Sequence, residues 1–456
     1  MARVRDRRCP FRRLSWLLAI IVILVVSAYA LYPYLYTVFS GQQYINPRVS
    51  LKAHESYELE FWVRLPSIAN TRPFQEALEQ CIADFTTGRS NIKVNITYLP
   101  PAQAGQRLQQ ALATGTPPDV LFHADSSQAF YGELQVPLSL YLNQQDRTAW
   151  PEAVWQQALV NNRVYALPVA LFPRVMMVNS SLWQPTNLSL EQVLTSGWNW
   201  DQFLAAIAEA KQAQVYGFVP TSIGDALFAA MTTVWGQPAA FDPDGAPLWT
   251  EAFLENIAAG WKKLQQSPGV PTPANTMDEN CLVLFLQQRA ASIGPLNHNL
   301  TPWLWQEALK AGIQPAIWPL PNETGHSDFR SVYLAVFRQA EYQGHRHTKA
   351  AAEFALWLAP HLAEYMGRFA SAIPAQTSLL TSLELPYDPA SRQTYTAIDK
   401  ALSRPYSYGP EPGLAEEHWQ HTIAPAWSAY VTGQYTKEQF VQAVLSGLAR
   451  ATMTGP

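Results

Sequence analysis

Charged residues are scarce in this chain. Only 14% of its 456 residues are Asp, Glu, Lys or Arg, and the formal net charge is −4. Proteins that bind nucleic acid through their surface carry a basic patch or stripe, so the bulk of the chain does not fit that class. The 16 Trp, 20 Tyr and 19 Phe residues instead predict a globular protein with many rings to bury. The length predicts two or three folding units.

Cysteine is equally scarce, with Cys9, Cys81 and Cys281 only. So few cysteines do not form a disulfide framework. Cys9 precedes the apolar N-terminal segment, whereas the lipid-bearing cysteine of a lipoprotein follows such a segment. We expect Cys81 and Cys281 to be buried thiols, because free cysteine behaves as a small hydrophobic residue. A disulfide between them is the alternative.

Several enzyme motifs are missing. The sequence has no G-x-S-x-G, no H-E-x-x-H, no Walker loop and no G-x-G-x-x-G followed by an acid. His418 and His421 share a helix face, but no third metal ligand accompanies them. We therefore predict no catalytic residue, no metal and no cofactor. A glycosidase stays open as an alternative, because its paired carboxylates leave no motif.

Arginines precede a long uncharged segment at the N-terminus. Residues 14–39 contain no charge and are long enough to cross about 30 Å of hydrocarbon. The arginines orient the rest of the chain toward the outside of the cell. We expect residues 1–40 to be a retained signal anchor or transmembrane helix that attaches the protein to the cell membrane in a single pass. Cleavage near Ala30 is the alternative and predicts a secreted or periplasmic protein.

Strands and helices alternate after a polar linker at residues 41–56. Strand patterns at 57–63, 92–99 and 120–122 flank amphipathic helix patterns at 73–87 and 104–114. This alternation predicts a parallel, doubly wound sheet. Later segments predict further helices at 198–212 and 250–266, and a strand at "VYGFVP". We expect Asp119 to hold the start of the third strand by hydrogen bonds, and His345-Arg346-His347 to form a solvated loop.

Seven segments between residues 57 and 440 together carry a family resemblance. In chain order they are "LEFWV", "ALEQCIADFTTGRSNIKVNITYLP", "LQQALATGTPPDVLF", "NNRVYALPVALFPRVMMVNSSLW", "WNWDQFLAAIAEAK", "FLQQRAASIGPLN" and "AIPAQTSL". Their order resembles that of the family 1 extracellular solute-binding proteins of ABC sugar importers, the maltose-binding-protein-like family. The chain departs from the family pattern at Asn162, Val178, Arg289-Ala290 and Leu296, where Gly, Tyr, Gly-Lys and Trp are usual.

The resemblance implies an α/β, two-lobed periplasmic-binding-protein-like fold of type II, with a cleft closed by a hinge. Lobe 1 would comprise residues 57–170 and be completed by about 325–370. Lobe 2 would comprise 171–324 and be completed by about 371–456. The chain would cross between the lobes near Pro168–Pro173 and return near 318–321.

The same resemblance implies an extracytoplasmic substrate-binding subunit of an ABC importer. It would capture an oligosaccharide or related polyol, act as a monomer and deliver the ligand to a membrane permease. A membrane-anchored ligand-sensing subunit for a signalling partner is one alternative function. A carbohydrate hydrolase is the other.

Ligands of open α/β sheets lie beyond the carboxyl ends of the strands. Sugar sites combine polar groups with flat aromatic rings. The expected ligand-binding residues are Arg64, His123, Asp125, Ser126, Phe172, Arg174, Asp225, Asn297, His298, Tyr406 and Tyr408. Three alternatives stay open: Arg64 to Ser67 is an ordinary turn, Asp125 caps a helix, and Phe172 packs in the hinge. Arg64 and Arg174 would also suit a phosphate-bearing ligand.

Overall fold

The computed structural model describes residues 20–27, 31–37, 43–66, 68, 70–124, 130–151, 154–155, 158–160, 163–221, 224–236, 240–241, 246–271, 278–296, 300–322, 329–376, 379, 389, 391–394 and 419–453. The chain divides into two compact units, Met1–Ser50 and Leu51–Pro456.

The N-terminal unit contains two short helices, Ile20–Ser27 and Leu31–Thr37. Together they meet the length and hydropathy of one membrane span with a 41° bend, whereas no single helix among the described residues does. The rings of Tyr32, Tyr36 and Tyr44 contact one another, with centroids 5.6 to 6.1 Å apart. The anchor over residues 1–40 stays a prediction.

In the described part of the larger unit the strands are β1 (Tyr57–Arg64), β2 (Ile92–Leu99), β3 (Val120–His123), β4 (Leu159–Val160), β5 (Arg163–Val164), β6 (Ala166–Pro173), β7 (Val175–Asn179), β8 (Val219–Pro220), β9 (Ser292–Leu296), β10 (Pro315–Pro319), β11 (Phe329–Val336) and β12 (Ile373–Pro374). The helices are α1 (Arg72–Thr87), α2 (Pro101–Ala113), α3 (Gln144–Arg147), α4 (Ser180–Trp183), α5 (Leu190–Ser196), α6 (Trp200–Glu209), α7 (Asp225–Val234), α8 (Glu251–Gln266), α9 (Asp278–Leu286), α10 (Leu300–Lys310), α11 (His345–Ala370), α12 (Ala424–Val431) and α13 (Lys437–Met453).

Two sheets organise this unit. The first has the strand order β12-β6-β11-β3-β1-β2, and the second has the order β10-β7-β9-β8. Strand β1 is parallel to β2 and β3, as the sequence predicts. The other pairings of the first sheet, which involve β6, β11 and β12, are antiparallel. The predicted parallel pairing is therefore confirmed for β2-β1-β3.

The order of the described elements gives three passages of the chain between the two sheets. Only Arg174 separates the end of β6 from the start of β7. Residues 320–328 connect β10 to β11. The third passage leads from β12 to a helical turn at residues 391–394, where Ser391 and Thr394 bond to the backbone of Ile317 in β10. The lobe limits stay a prediction, and the predicted limit at residue 170 falls inside β6.

Each sheet has its own core. On the first, the long helix α11 packs against β6, β11 and α1, and Phe354 contacts Phe61 and Phe85 at 5.4 and 5.1 Å between ring centroids. The core of the second sheet is rich in aromatic side chains. Its Trp427, from α12, is fully buried against Phe228 at 5.0 Å and Phe440 at 5.8 Å. The C-terminal helices therefore complete the core of the second sheet.

Local signals explain the helix starts. Asn199 and Gln202 form the capping box that begins α6, close to the predicted start at residue 198. One expectation is wrong: His345-Arg346-His347 is the first turn of α11 rather than a loop. The strand predicted at "VYGFVP" is confirmed, but it is limited to Val219–Pro220. Gly217 precedes it where a Cβ would collide with the backbone of Ile207.

Candidate functional site

Two polar side chains meet where β1 and β3 end. Arg64 and His123 are register partners on these parallel strands. The Nη1 atom of Arg64 lies 2.6 Å from Nε2 of His123. His123 is buried and Arg64 is half-buried. The sequence predicts both residues as ligand contacts, and the structure brings them together at one sheet edge.

Tyr131 is a third member of this group, and the sequence analysis missed it. Its hydroxyl oxygen lies 3.0 Å from Nδ1 of His123. The backbone N–H of Tyr131 donates to Oε1 of Gln135 at 2.8 Å, and Nε2 of Gln135 donates to the carbonyl of Tyr165 at 2.9 Å. Gln135 is only 3% exposed, so this loop is fixed by a buried amide. An aromatic residue eight positions beyond His123 is too weak a signal in a chain with 20 Tyr.

Aromatic rings surround this polar group. Tyr131 packs against Phe337 with 5.9 Å between centroids, and Phe130 meets Tyr165 edge to face at 4.8 Å. Phe130 and Tyr131 are half-buried, so both retain some accessible ring surface. Rings beside hydrogen-bonding groups suit a ligand that has apolar faces and polar edges.

The passage from β6 to β7 adds Phe172 and Arg174. Phe172 is 3% exposed, so its ring packs inside the protein, as the hinge-packing alternative expects. Arg174 is half-buried and is the single residue that connects the two strands. A role of either residue in ligand binding stays a prediction.

In the second sheet, Thr221 forms two hydrogen bonds to backbone carbonyls at the end of β9. After β8, the Thr221 N–H donates to Gly294 O at 2.9 Å and its hydroxyl donates to Pro295 O at 2.5 Å. These bonds hold the end of β9 beside the end of β8. Leu296, at the position where the resemblance expects a tryptophan, is fully buried.

The remaining predicted contacts are not described by the structure. Asp125, Ser126, Asn297, His298, Tyr406 and Tyr408 lie outside the described residues, as does Ser67. Asp225 is the first residue of α7, and only its backbone is described. These residues stay predictions.

Asp119 has the structural role expected of it. Its Oδ2 accepts from the Glu60 N–H at 2.8 Å, and its Oδ1 lies 2.8 Å from Nε2 of His347. Both partners lie at the amino end of β3, away from Arg64 and His123. On the same side, burial lowers the pKa of His345 and raises the pKa of Tyr342, whose hydroxyl lies 2.8 Å from Nδ1 of His345.

Neither cysteine pairing nor a metal cluster is found in the described part of the chain. Cys81 and Cys281 are not joined in a disulfide, and both are buried. No group of three His, Cys, Asp or Glu side chains among the described residues is arranged to hold a metal ion. The described groups at the ends of β1 and β3 offer hydrogen bonds and ring contacts.

Comparison with known proteins places this geometry in context. Residues 67–359 match the family described as bacterial extracellular solute-binding protein. No curated protein sequence matches the chain.

Solved structures match over most of the chain. The cyclic alpha-maltosyl-1,6-maltose binding protein from Arthrobacter globiformis has a TM-score of 0.65 at 14% identity, covering 88% of this chain and 100% of that one. The maltotriose binding protein of Thermus thermophilus, bound with maltotriose, has a TM-score of 0.59 at 17% identity, covering 86% and 100%. The maltose/maltodextrin-binding domain from Bdellovibrio bacteriovorus, bound to maltotriose, has a TM-score of 0.59 at 14% identity, covering 87% and 100%. At these identities the similarity establishes the two-lobed periplasmic-binding-protein fold.

Proposed function

Because the chain belongs to the bacterial extracellular solute-binding protein family, we propose that it is the extracytoplasmic substrate-binding subunit of an ABC importer. It captures a carbohydrate, an oligosaccharide or related polyol, in the cleft between the two sheets and delivers it to a membrane permease. It binds its ligand without chemical conversion and acts as a monomer. The N-terminal unit anchors it to the membrane in a single pass.

One observation carries the carbohydrate assignment. Arg64, His123 and Tyr131 form a hydrogen-bonded group at the carboxyl ends of β1 and β3, beside half-buried rings. Sheets of this type bind ligands at that edge. Sugars match such a mixture because their hydroxyl groups form hydrogen bonds while their C–H faces pack on rings. The maltotriose bound by the Thermus and Bdellovibrio proteins supports the same ligand class.

The second sheet supplies the other wall of the proposed cleft. Asn297 and His298 follow β9, Asp225 begins α7, and Arg174 lies at the passage between the sheets. A ligand that contacts both walls stabilises the closed arrangement, because it makes all of its contacts only there. Asp125, Ser126, Phe172, Tyr406 and Tyr408 complete the proposed contacts.

A thermal-shift screen of the full chain in detergent tests this function. The panel contains monosaccharides, oligosaccharides including maltotriose, polyols and glycerol phosphodiesters. A ligand at a hundred times its Kd adds about 2.7 kcal/mol of stability, which raises the melting temperature clearly. Absence of any shift across the panel, with the chain folded, contradicts the proposal. Chromatography of the recovered ligand tests for turnover, and new products would favour the hydrolase.

Matched variants locate the binding site. Arg64→Gln removes the guanidinium beside His123, and we expect it to weaken binding of the ligand found in the screen by about tenfold to a hundredfold. Arg72→Gln is the control, because Arg72 is exposed and pairs with Glu76 on the surface of α1. Equal loss in both variants would argue against the proposed site.

The anchor has its own test. Intact mass measurement of the protein isolated from its native membrane distinguishes a retained segment 1–40 from cleavage near Ala30. Retention of the full mass in the membrane fraction after alkaline washing is the expected result. A protein that begins after Ala30 and remains in the soluble fraction would overturn the anchor.

A further inference from the structure

Exposed hydrophobic side chains are concentrated on two neighbouring helices of the larger unit. Among the described residues of this unit, five large hydrophobic side chains are exposed, and three of them lie on α9 and α10. These three are Val283 at 46%, Trp303 at 41% and Leu309 at 49% exposure, and we call them the helix patch. Single exposed hydrophobic side chains are normal, whereas a group of them marks a surface that binds a partner.

The helix patch lies on two helices that are packed side by side. The Nε2 atom of Gln288, shortly after α9, donates to the carbonyl of Ala311, directly after α10, at 3.3 Å. The C-terminal ends of the two helices are therefore adjacent. Spacings of three place Trp303, Gln306 and Leu309 along one side of α10, and all three are exposed.

Both helices lack charge over most of their length. Residues 280–288 and 299–306 contain no Asp, Glu, Lys or Arg. A helix that is apolar all round is ordinarily buried. In the "CLVLFL" run of α9, however, Val283 is exposed, and Leu282 and Leu286 beside it are only half-buried. This surface loses more contact with water only when an apolar partner covers it.

Cations lie at one end of this surface. Arg289 and Lys310 are at the adjacent C-terminal ends of the two helices, and both are exposed. Lys310 pairs with Glu307 at 2.7 Å, so Arg289 provides the net positive charge at this end. The acidic residues 278–279 lie in the first turn of α9, at its other end. A positive edge beside exposed tryptophan and aliphatic side chains is typical of surfaces at the boundary between lipid headgroups and acyl chains.

The N-terminal unit brings a bilayer within reach of this surface. Its helices Ile20–Ser27 and Leu31–Thr37 together meet the length and hydropathy of one bent span. Residues 40–56, which follow the uncharged segment, extend over at most about 60 Å. A short connection raises the effective concentration of a second contact with the same membrane. Three side chains that bind a bilayer weakly on a free protein are then sufficient on an anchored one.

We infer that the helix patch contacts the lipid bilayer that holds the anchor, with Trp303 at the level of the headgroups and Arg289 beside anionic lipid. The inference rests on the proposed function, because it needs the N-terminal unit to be retained as an anchor. It goes beyond that function, since it assigns a second membrane contact to the larger unit. Such a contact determines which side of the larger unit faces the bilayer.

Fluorescence quenching of the full chain in vesicles tests the contact. The chain carries Cys9→Ser, so that one added cysteine takes the fluorophore while the two buried thiols remain. Gln306→Cys places the fluorophore between Trp303 and Leu309, and Gln434→Cys places it beside exposed Tyr435 as the control. The vesicles contain phosphatidylcholine and phosphatidylglycerol in equal parts, with a quencher on the acyl chains. We expect the quencher to remove most of the fluorescence at position 306 and little of it at position 434.

Substitutions in the helix patch distinguish a contact from simple nearness to the membrane. Trp303→Gln combined with Leu309→Gln removes exposed apolar surface, and we expect most of the quenching at position 306 to be lost. Arg289→Gln, or vesicles of phosphatidylcholine alone, should lose part of it, because only the attraction to anionic lipid is removed. The matched control is Leu140→Gln, which removes an exposed leucine elsewhere in the larger unit and should keep the quenching. Full quenching in the double variant would overturn the inference.

Flotation of the same vesicles separates the inference from the anchor on which it rests. A chain that floats with the vesicles but is not quenched at position 306 overturns the inference and leaves the anchor in place. A chain that does not float contradicts the anchor and the inference together. Shielding of position 306 only after a permease is added to the vesicles would assign the helix patch to a protein partner, and would also overturn the inference.

Discussion

Asp119 and His347, 228 residues apart in the chain, join their side chains at 2.8 Å. The first lies directly before β3 and the second lies in the first turn of α11. The carboxylate also accepts the backbone N–H of Glu60 in β1. One buried side chain thus holds two neighbouring strands and the helix that covers them.

We predict that Asp119→Asn lowers the free energy of unfolding by about 2 kcal/mol. The amide retains one acceptor oxygen where two are used, and a hydrogen bond to a charged group contributes about 1.5–3 kcal/mol. Urea denaturation measures the change. The control is Asp201→Asn, because the Asp201 carboxylate pairs with Lys263 on the surface. This substitution should change the free energy of unfolding by less than about 0.5 kcal/mol. Equal values for the two variants would refute the structural role of Asp119.

Replacing two helix glycines by alanine should change the free energy of unfolding in opposite directions. A Cβ at Gly105 in α2 meets nothing within 4 Å, so Gly105→Ala should stabilise the protein by about 0.5–1 kcal/mol through helix propensity. A Cβ at Gly260 in α8 would collide with the ring of Trp235. Gly260→Ala should therefore destabilise by about 1–3 kcal/mol, despite the same gain in propensity. Denaturant unfolding of both variants checks the sign, and a stabilised Gly260→Ala would contradict the packing.

Two hydroxyl groups form hydrogen bonds with the backbone of Ile317 in the edge strand β10. The Ser391 oxygen accepts the Ile317 N–H at 2.9 Å, and the Thr394 hydroxyl donates to the Ile317 carbonyl at 2.6 Å. All of these groups are buried, so Ser391→Ala and Thr394→Val should each cost about 1–3 kcal/mol. Thr432→Val, which removes an exposed hydroxyl bonded to Ser428 O, is the control and should be nearly neutral. Unchanged thermal stability in both buried variants would count against the contact.

Alkaline pH should destabilise the protein partly through Cys81. Burial raises the pKa of its thiol from 9.0 to about 11. Below pH 9 the folded and unfolded states both hold this proton. As pH rises from about 9 to 11, the unfolded state loses it while the folded state keeps it, so stability falls by an amount on the order of 2 kcal/mol. Cys81→Ala should lose less stability over this interval in urea titrations. Parallel pH profiles for the two proteins would exclude the effect.

The local elements of the fold follow from sequence patterns, but their long-range pairing does not. The spacing of Phe74, Leu78 and Phe85 predicts α1, and all three are buried in it. The alternation of apolar residues does not predict that β11 lies antiparallel between β3 and β6, because that register joins segments far apart in the chain.

His345-Arg346-His347 shows how a tertiary contact overrides a local preference. Basic residues are disfavoured at the positive end of a helix, which supports a loop at this position. The bond between His347 and Asp119 supplies the compensating interaction. A single sequence does not reveal this partner.

The candidate site divides in the same way. Arg64 and His123 are predictable because each ends a strand, and parallel strands end at one edge. Tyr131 is not, because it reaches His123 only through a loop that Gln135 fastens from inside.

The single residue between β6 and β7 determines how motion between the sheets can be observed. Because only one residue lies between β6 and β7, a rotation of one sheet against the other would leave the two strand ends at this passage close together. In such a rotation, the displacement of an atom would be proportional to its distance from Arg174. The distance between two spectroscopic labels placed close to Arg174 should therefore change very little. The distance between labels on β2 and β8, which are edge strands of the two sheets, should show the largest change.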